Sequence, residues 1–369
     1  MARANSEDVA RHAGVSIATV SHVINGTRFV SEETRQKVQD AIKALNYRPN
    51  AVARGLATSF TRKIGVVVSE IRNPFFTATA RGIEDEVIRQ RYNIILCNTD
   101  EDPEREDAVL HLLGAQQVDG LIIAPTGARS ETLLGLAKAG VPIVQIDRSS
   151  PGLDAPLIDV NNEEGAYQAI SYLIGLGHTR IACLINLDVI STQTERLQGW
   201  ERALREAGLP VDESLIVRAD PRFFGGTPDA KASITRHNLP GASEVLQGLF
   251  TLPQRPSAIF VASNQLTLGT LYAFRASGLR CPEDISLISF DDHDWAPIFN
   301  PPLTVMRQPT YQLGQIAAQL LMKMINGEAV SAPPHLQVEL IKRSSCAPPR
   351  ASNFEGLNND HAKEVSAAK

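Results

Sequence analysis

From Lys63 onward the chain repeats one pattern, in which a short run rich in Val and Ile is followed by a segment with helical spacing and then by another apolar run. The runs are Ile64 to Val68, Ile94 to Cys97, Gly120 to Ala124, Ile143 to Ile146, Ile181 to Ile185, Ala258 to Val261 and Ile285 to Ser289. Continuous apolar runs suit strands buried on both faces, and their alternation with helices argues an α/β body built on parallel sheets with crossover helices. The strands are too many for one compact open sheet. The segment divides naturally near Val160-Asn161-Asn162 and again near Phe290-Asp291-Asp292, which predicts two similar lobes with a cleft between them. Open parallel sheets bind ligands beyond the carboxyl ends of their strands. The expected cleft lining is therefore Phe75, Phe76, Asp147, Arg148, Arg196, Ser263, Asn264 and Asp291.

Ahead of this body the charge changes sign. Residues 1 to 63 hold 10 Lys or Arg against 5 Asp or Glu, whereas the remainder holds 26 against 36. A basic head on an acidic body suits a polyanion-binding module, since cations placed near phosphates gain affinity by releasing counterions. Within the head, Val9, Ala10 and Ala13 form one apolar face and Val20, Val23 and Ile24 a second, with a glycine turn at Gly14-Val15-Ser16 between them. Asn5 or Ser6 can cap the first helix and Ser16 the second. A third helix starting near Ser31-Glu32-Glu33 and burying Val38, Ile42 and Leu45 closes a small all-α core.

Off the apolar face of the second helix lie Ile17, Ala18, Ser21, His22 and Asn25, one outward stripe. A helix-turn-helix places such a stripe in the major groove, where small apolar side chains meet thymine methyls and a histidine can bond purine edges. The segment from Tyr47 to Ala57 follows. Pro49 suits a first helical turn, but the segment is short and contains Gly55, so it should order only on contact.

The phrases Val9-Ala10-Arg11-His12-Ala13-Gly14-Val15-Ser16, Thr19-Val20-Ser21-His22-Val23-Ile24-Asn25-Gly26 and Tyr47-Arg48-Pro49-Asn50-Ala51-Val52-Ala53 resemble the head of the lac repressor family (LacI/GalR). In this stretch the chain is most similar to purine-responsive members. The resemblance continues through Arg72-Asn73-Pro74-Phe75-Phe76, Gly175-Leu176-Gly177-His178-Thr179-Arg180, Ser289-Phe290-Asp291-Asp292 and Pro301-Pro302-Leu303-Thr304, and covers about residues 6 to 346.

It implies an N-terminal helix-turn-helix head, a hinge helix and a two-lobed, type I periplasmic-binding-protein-like effector domain. The implied partners are double-stranded operator DNA of pseudo-palindromic sequence, a small-molecule effector and a second copy of the chain, and no cofactor. By this resemblance the DNA-facing set is Ser16, Ile17, Ala18, Thr19, Ser21, His22, Asn25 and Arg28 in the head, with Asn50, Ala53, Arg54 and Leu56 in the hinge. Leu56 would wedge a central CpG step, as apolar side chains do when they unstack and bend DNA. Arg196 matches an arginine that clamps effector hydroxyls, Asp291 an accepting carboxylate, and Phe75 and Phe76 apolar walls. Thr192 matches a further pocket position.

Three departures bear on the effector. Ser263-Asn264 stands where sugar-responsive members commonly carry Asn-Asp, Ile190 stands where a purine-contacting Arg would be, and the stretch from Phe223 to Gly241 reads longer than the family loop. Loss of a carboxylate makes the pocket more hospitable to an anion, and with Arg148, Arg196 and His293 nearby the expected ligand is a sugar or a hydroxylated acid or phosphate. A purine is disfavoured.

The organisation expected is residues 1–47 as head, 48–62 as hinge and linker, 63–346 as body and 347–369 as a flexible tail. That tail has one Leu beside Pro348 and Pro349, so it lacks the heptads of a tetramerising coiled coil and a dimer is expected. An enzyme is not expected, because GxGxxG after a strand, GxxxxGK[ST], GxSxG and HExxH are all missing. Cys97, Cys183, Cys281 and Cys346 are too scattered for a zinc site or a disulfide framework, which fits a reducing cytoplasm. Neither a signal peptide nor a membrane span is expected, as no stretch approaches ~18 consecutive apolar residues. The alternative is a solute-binding protein with no DNA role, which the body alone would fit and the basic head does not.

Overall fold

The computed structural model describes residues 4–25, 28–47, 60–187, 190–219, 242–331 and 333–350. The chain separates into two compact units at Arg62 and Lys63.

The first unit contains α1 (Ser6–Ala13), α2 (Ile17–Asn25) and α3 (Glu32–Ala44). Asn5 closes a capping box on α1 with Asp8, satisfying orphan N–H groups at both ends of the exchange. Gly14 ends α1 at φ 66°, a left-handed value that glycine adopts without a Cβ penalty. Ser16 caps α2, its Oγ accepting from the Thr19 N–H at 3.1 Å, and Ser31 caps α3. Val9, Ala10, Val20, Val23, Val38 and Ala41 form the core, with Ile42 and Leu45 half-buried at its edge.

In the second unit, β1 (Lys63–Val68), β2 (Asn93–Asn98), β3 (Gly120–Ile123), β4 (Ile143–Ile146) and β5 (Leu157–Ile158) make a parallel sheet in the order β2-β1-β3-β4-β5. Its crossover helices are α4 (Pro74–Arg89), α5 (Pro103–Ala115) and α6 (Glu131–Lys138). The second sheet contains β6 (Ile181–Asn186), β7 (Ile216–Ala219), β8 (Ala258–Val261), β9 (Ser286–Phe290), β10 (Thr304–Arg307) and β11 (Glu339–Ile341), ordered β11-β10-β9-β8-β6-β7. Among the described residues, β11 alone pairs antiparallel. Around it lie α7 (Asn162–Gly175), α8 (Ser191–Glu206), α9 (Ala242–Phe250) and α10 (Asn264–Ser277). The fully buried indole of Trp200 anchors this lobe, its Nε1–H donating to the Ile181 carbonyl at 3.1 Å.

The expected second division near Phe290 is corrected. The chain stays in the second lobe through β10 and leaves only at Gln308, where α11 (Thr310–Ile325) packs on α4 of the first lobe. It returns to the second sheet at β11, so the connection between lobes is triple. The four-residue β10 lacks the Val/Ile run that marked the other strands. Ala347, the first residue of the expected tail, is hydrogen-bonded to Ser286 Oγ and to His178 Nε2 and so is part of the second lobe.

Glycines let the helix pairs approach to backbone contact. A Cβ on Gly82 of α4 would lie 2.1 Å from the Tyr311 carbonyl oxygen of α11, and one on Gly199 of α8 would lie 2.2 Å from the Glu163 oxygen of α7. Neither obstacle is a flexible side chain, so the helices themselves must shift. Gly82→Ala and Gly199→Ala are each expected to cost ~1–3 kcal/mol or more of unfolding free energy. Gly135→Ala in α6, which meets nothing within 4 Å, should be neutral or stabilising by up to ~1 kcal/mol. Denaturant titration of the three variants checks the ordering.

Candidate functional site

On the head, α2 turns its apolar face to the core and leaves Ile17, Ala18 and Ser21 exposed, with Thr19 and His22 half-buried. Ser16 and Thr19 are also joined through their hydroxyls at 2.9 Å, so part of their bonding capacity holds the cap. Arg28 is exposed beside Phe29, which is 95% exposed and was not singled out by the sequence. Asn25 closes α2, and Asn50, Ala53, Arg54 and Leu56 lie outside the described residues, as does the stretch from Phe223 to Gly241.

In the second unit, strand ends and helix starts of both lobes converge. All of the expected lining residues, Phe75, Phe76, Asp147, Arg148, Thr192, Arg196, Ser263, Asn264 and Asp291, border one cavity of about 50 Å³. The sequence missed Glu70, Asn73, Glu101, Asn186, Gln193 and Gln308, which share it. Asn73 carried a legible signal as a helix cap before Pro74, whereas Gln308 was hidden with the unseen β10.

Phe75 and Phe76 form an edge-to-face pair, ring centres 4.9 Å apart, at the start of α4. Asp147 and Asp291 leave β4 and β9 at φ 66° and 77°, left-handed values that are unusual away from glycine and Asn/Asp. Arg196 is buried over the Phe290 ring, its guanidinium carbon 3.7 Å from the ring centre. Its Nε donates to Asn162 Oδ1 at 2.9 Å and its Nη1 to the Ala262 carbonyl at 2.6 Å. Gln193 bridges the Asn186 N–H and the Ala262 carbonyl. Across the cleft, Asn264 Nδ2 donates to Asn73 Oδ1, joining the second lobe to the first.

Arg148 is enclosed by acceptors. Nε donates to Asp147 Oδ2 at 3.0 Å, Nη1 and Nη2 make a bidentate pair with Glu101 at 3.0 and 2.9 Å, and Nη2 also reaches Ser69 Oγ at 3.0 Å. Burial opposes its charge, and the Glu101 and Asp147 carboxylates outweigh burial, so its pKa is raised. Burial lowers the pKa of Arg196 and raises that of Asp291, the two working against one another's shift by mutual attraction.

Counted as ionised, the lining holds the carboxylates Glu70, Glu101, Asp147 and Asp291 against the guanidiniums Arg148 and Arg196. The N-termini of α4, α8 and α10 also open here, through Asn73, Ile190 and Ser263. Each supplies roughly half a positive charge. The sum is close to neutral. The charge set facing the cavity is therefore wider than the exchange of one carboxylate for Asn264, since four carboxylates remain in the lining.

His293 does not border the cavity. It is buried and stacked at 11° on Trp295, ring centres 5.2 Å apart. Burial lowers its pKa despite the pull of Asp291, so it is neutral at pH 7 and offers no cation to a ligand. Among the described residues no group of three or more His, Cys, Asp or Glu side chains could hold a metal ion. Nor is any helix among them long and apolar enough to cross a membrane.

A helical head with an exposed reading face, joined in one chain to a two-lobed body closing on a polar cavity, defines a transcription regulator with a ligand-sensing domain. Residues 7–50 match the model described as bacterial regulatory proteins, lacI family, and residues 170–346 match that of a periplasmic binding protein-like domain. The HTH-type transcriptional repressor PurR of Photobacterium profundum is 37% identical over 326 residues, covering 87% of this chain and 92% of that protein. Among solved structures, the lac repressor dimer bound to operator and the anti-inducer ONPF matches with a TM-score of 0.77 at 29% identity, covering 94% of this chain and 100% of the other. A LacI family transcriptional regulator from Enterococcus faecium with bound ribose matches with a TM-score of 0.67 at 28% identity, over 78% of this chain and 100% of that one. The chain belongs to the lacI family of bacterial transcriptional regulators.

His178 shares the behaviour of His293. Burial lowers its pKa against the raising effect of the Ala347 carbonyl. For both histidines the unfolded chain takes up the proton first, so their contribution is complete above the unfolded value of about 6.5 and is lost as pH falls toward the folded values. Thermal stability is expected to drop as pH falls below about 7. His293→Gln and His178→Gln should each flatten that drop in calorimetric melts, even where they lower stability at neutral pH.

Proposed function

We propose that this chain is a cytoplasmic repressor that binds a pseudo-palindromic operator in double-stranded DNA as a homodimer, under the control of a neutral polyhydroxylated small molecule, a sugar. The observation that carries the effector reading is the near-neutral cavity itself. Amide and carboxylate groups on both lobes surround the edge-to-face pair of Phe75 and Phe76, which is what a ring with one apolar face and a rim of hydroxyls requires. The bound ribose in the Enterococcus faecium structure supports the same class.

At about 50 Å³ the cavity is far smaller than the ~300–1,000 Å³ usual for ligand pockets, so entry requires the lobes to part. A ligand that prefers one lobe arrangement shifts the population toward it, which is the linkage an effector needs. Dimerisation is supported by an apolar surface on the second lobe, where Ile298 is 82% exposed and Tyr272 51% exposed beside a groove of about 870 Å³ that Trp295 and Phe299 also line. The relatedness to the lac repressor dimer on operator points the same way.

For DNA we assign readout to Ile17, Ala18, Ser21, His22 and Asn25, phosphate and groove contacts to Ser16, Thr19 and Arg28, and the central wedge to Leu56 with Asn50, Ala53 and Arg54 beside it. We place the head at 1–47, the hinge at 48–62 and the body at 63–346, extended to Ala347 by its hydrogen bonds to the second lobe, with no catalytic role. The reading is tested by selecting sites from random duplex DNA with the full chain. Wild type should enrich a palindrome with a central CpG step, His22→Ala should relax the flanking bases at a cost of ~1–3 kcal/mol in affinity, and Leu56→Ala should weaken the centre. No enrichment by a folded dimer would return the solute-binding alternative. In calorimetry, Arg196→Ala is expected to lose ~2 kcal/mol or more of sugar affinity while still binding the selected operator; unchanged affinity would remove Arg196 from the site.

A further inference from the structure

The geometry points to Glu101 as the specificity-determining residue of the effector cleft, which occupies the fork of Arg148 and so admits neutral polyols while rejecting acids. The inference rests on the sugar reading of the same cavity. Arg148 is the natural anion clamp here, since a planar guanidinium offers two parallel N–H groups to a carboxylate or phosphate. Its fork is already filled from within the protein by Glu101 Oε1 and Oε2, at 2.9 and 3.0 Å, and its Nε is taken by Asp147. The Arg148 side chain is 4% exposed and that of Glu101 31% exposed, so the carboxylate covers the guanidinium on the solvent side.

Glu101 is held in this place by its backbone. It follows β2 at φ 57°, directly after Asp100 at φ 52°, and its N–H donates to the Ser69 carbonyl at 3.1 Å. Two successive left-handed residues of non-glycine type carry a cost, and such strain persists where the surroundings hold it. The second guanidinium, Arg196, has its Nε and Nη1 taken by Asn162 and the Ala262 carbonyl and its face covered by Phe290, so Nη2 can serve a ligand hydroxyl but the two-nitrogen fork that a carboxylate or phosphate needs is not open. An incoming anion would therefore meet Glu101, Glu70, Asp147 and Asp291 with no open fork to receive it. Selectivity against a charged analogue can come from such repulsion as much as from contacts to the favoured ligand.

The test compares wild type with Glu101→Gln and Glu101→Ala, which remove the charge, and Glu101→Asp, which keeps it. Inorganic phosphate is titrated by thermal shift, and ribose, glucose, ribonate and glucuronate by calorimetry, on the full chain. Charge removal should give saturable phosphate binding and raise affinity for at least one of the two sugar acids, each by about tenfold or more over wild type. Glu101→Asp should stay within a fewfold of wild type. If either charge-removing variant melts cooperatively and gains neither phosphate nor acid binding, Glu101 is a brace for Arg148 and the inference is wrong. The same holds if wild type binds an acid more tightly than its neutral parent. If the variants gain phosphate binding while wild type binds neither neutral sugar, Glu101 retains its role and the sugar reading loses its support.

Discussion

Everything in the body depends on how charge is buried where the two sheets end. A parallel sheet brings the carboxyl ends of its strands and the N-termini of the following helices to one edge, so a cleft between two such sheets collects carbonyls, positive helix ends and the side chains between them. Ionised groups survive there only if paired. Arg148 with Glu101 and Asp147, and Arg196 with Asn162 and Ala262, meet that condition, and their partners come from different elements of the chain. The buried guanidiniums are therefore satisfied in two ways, Arg148 by carboxylates and Arg196 by neutral acceptors, and the near-neutral balance needs the remaining carboxylates and the helix ends as well.

The same requirement decided what the sequence could reveal. Strands buried on both faces announced themselves as Val/Ile runs, and the residues just after them became the expected lining by a rule of topology alone. Short or weakly apolar elements did not: β5 has two residues, β7 and β11 are edge strands with exposed positions, and β10, although interior and buried, lacks a Val/Ile run, whereas the edge strand β2 kept one and was legible. Missing β10 misplaced one lobe crossing and concealed Gln308. Glu101 was illegible for another reason. It stands in an acidic run beginning at Asp100, which reads as a solvated helix start, and only the three-dimensional fork of Arg148 distinguishes it from its neighbours.

Charge is also the property that a local reading of one motif captures least. Within its motif, Ser263-Asn264 reads as the loss of an acceptor and hence as room for an anion. In the structure Ser263 caps α10 and bonds Asn186, while Asn264 bridges to Asn73 on the other lobe. The balance is set by groups far apart in sequence, Glu70 and Asp291 being the extremes among the acids. One substitution within a motif cannot give that sum.

Two of the three lobe crossings are bonded to residues that face the cavity. Asn162, at the first crossing, accepts from Arg196, and Gln308, at the second, donates to Asp291. A ligand oxygen at Arg196 Nη2 and a ligand hydroxyl at Asp291 Oδ2 would share these side chains with Asn162 and Gln308. Each contact falls on a side chain bonded to a segment that connects the lobes, so recognition and lobe geometry share the same side chains. The third crossing is fastened to the first, by Leu336 pairing with the backbone at Asp159 and Asn161 and by His335 against the Asp159 carboxylate. Residues at two of the crossings are thus bonded to the side chains that line the cavity, and a ligand with different affinity for two lobe arrangements acts on the equilibrium between them through those bonds.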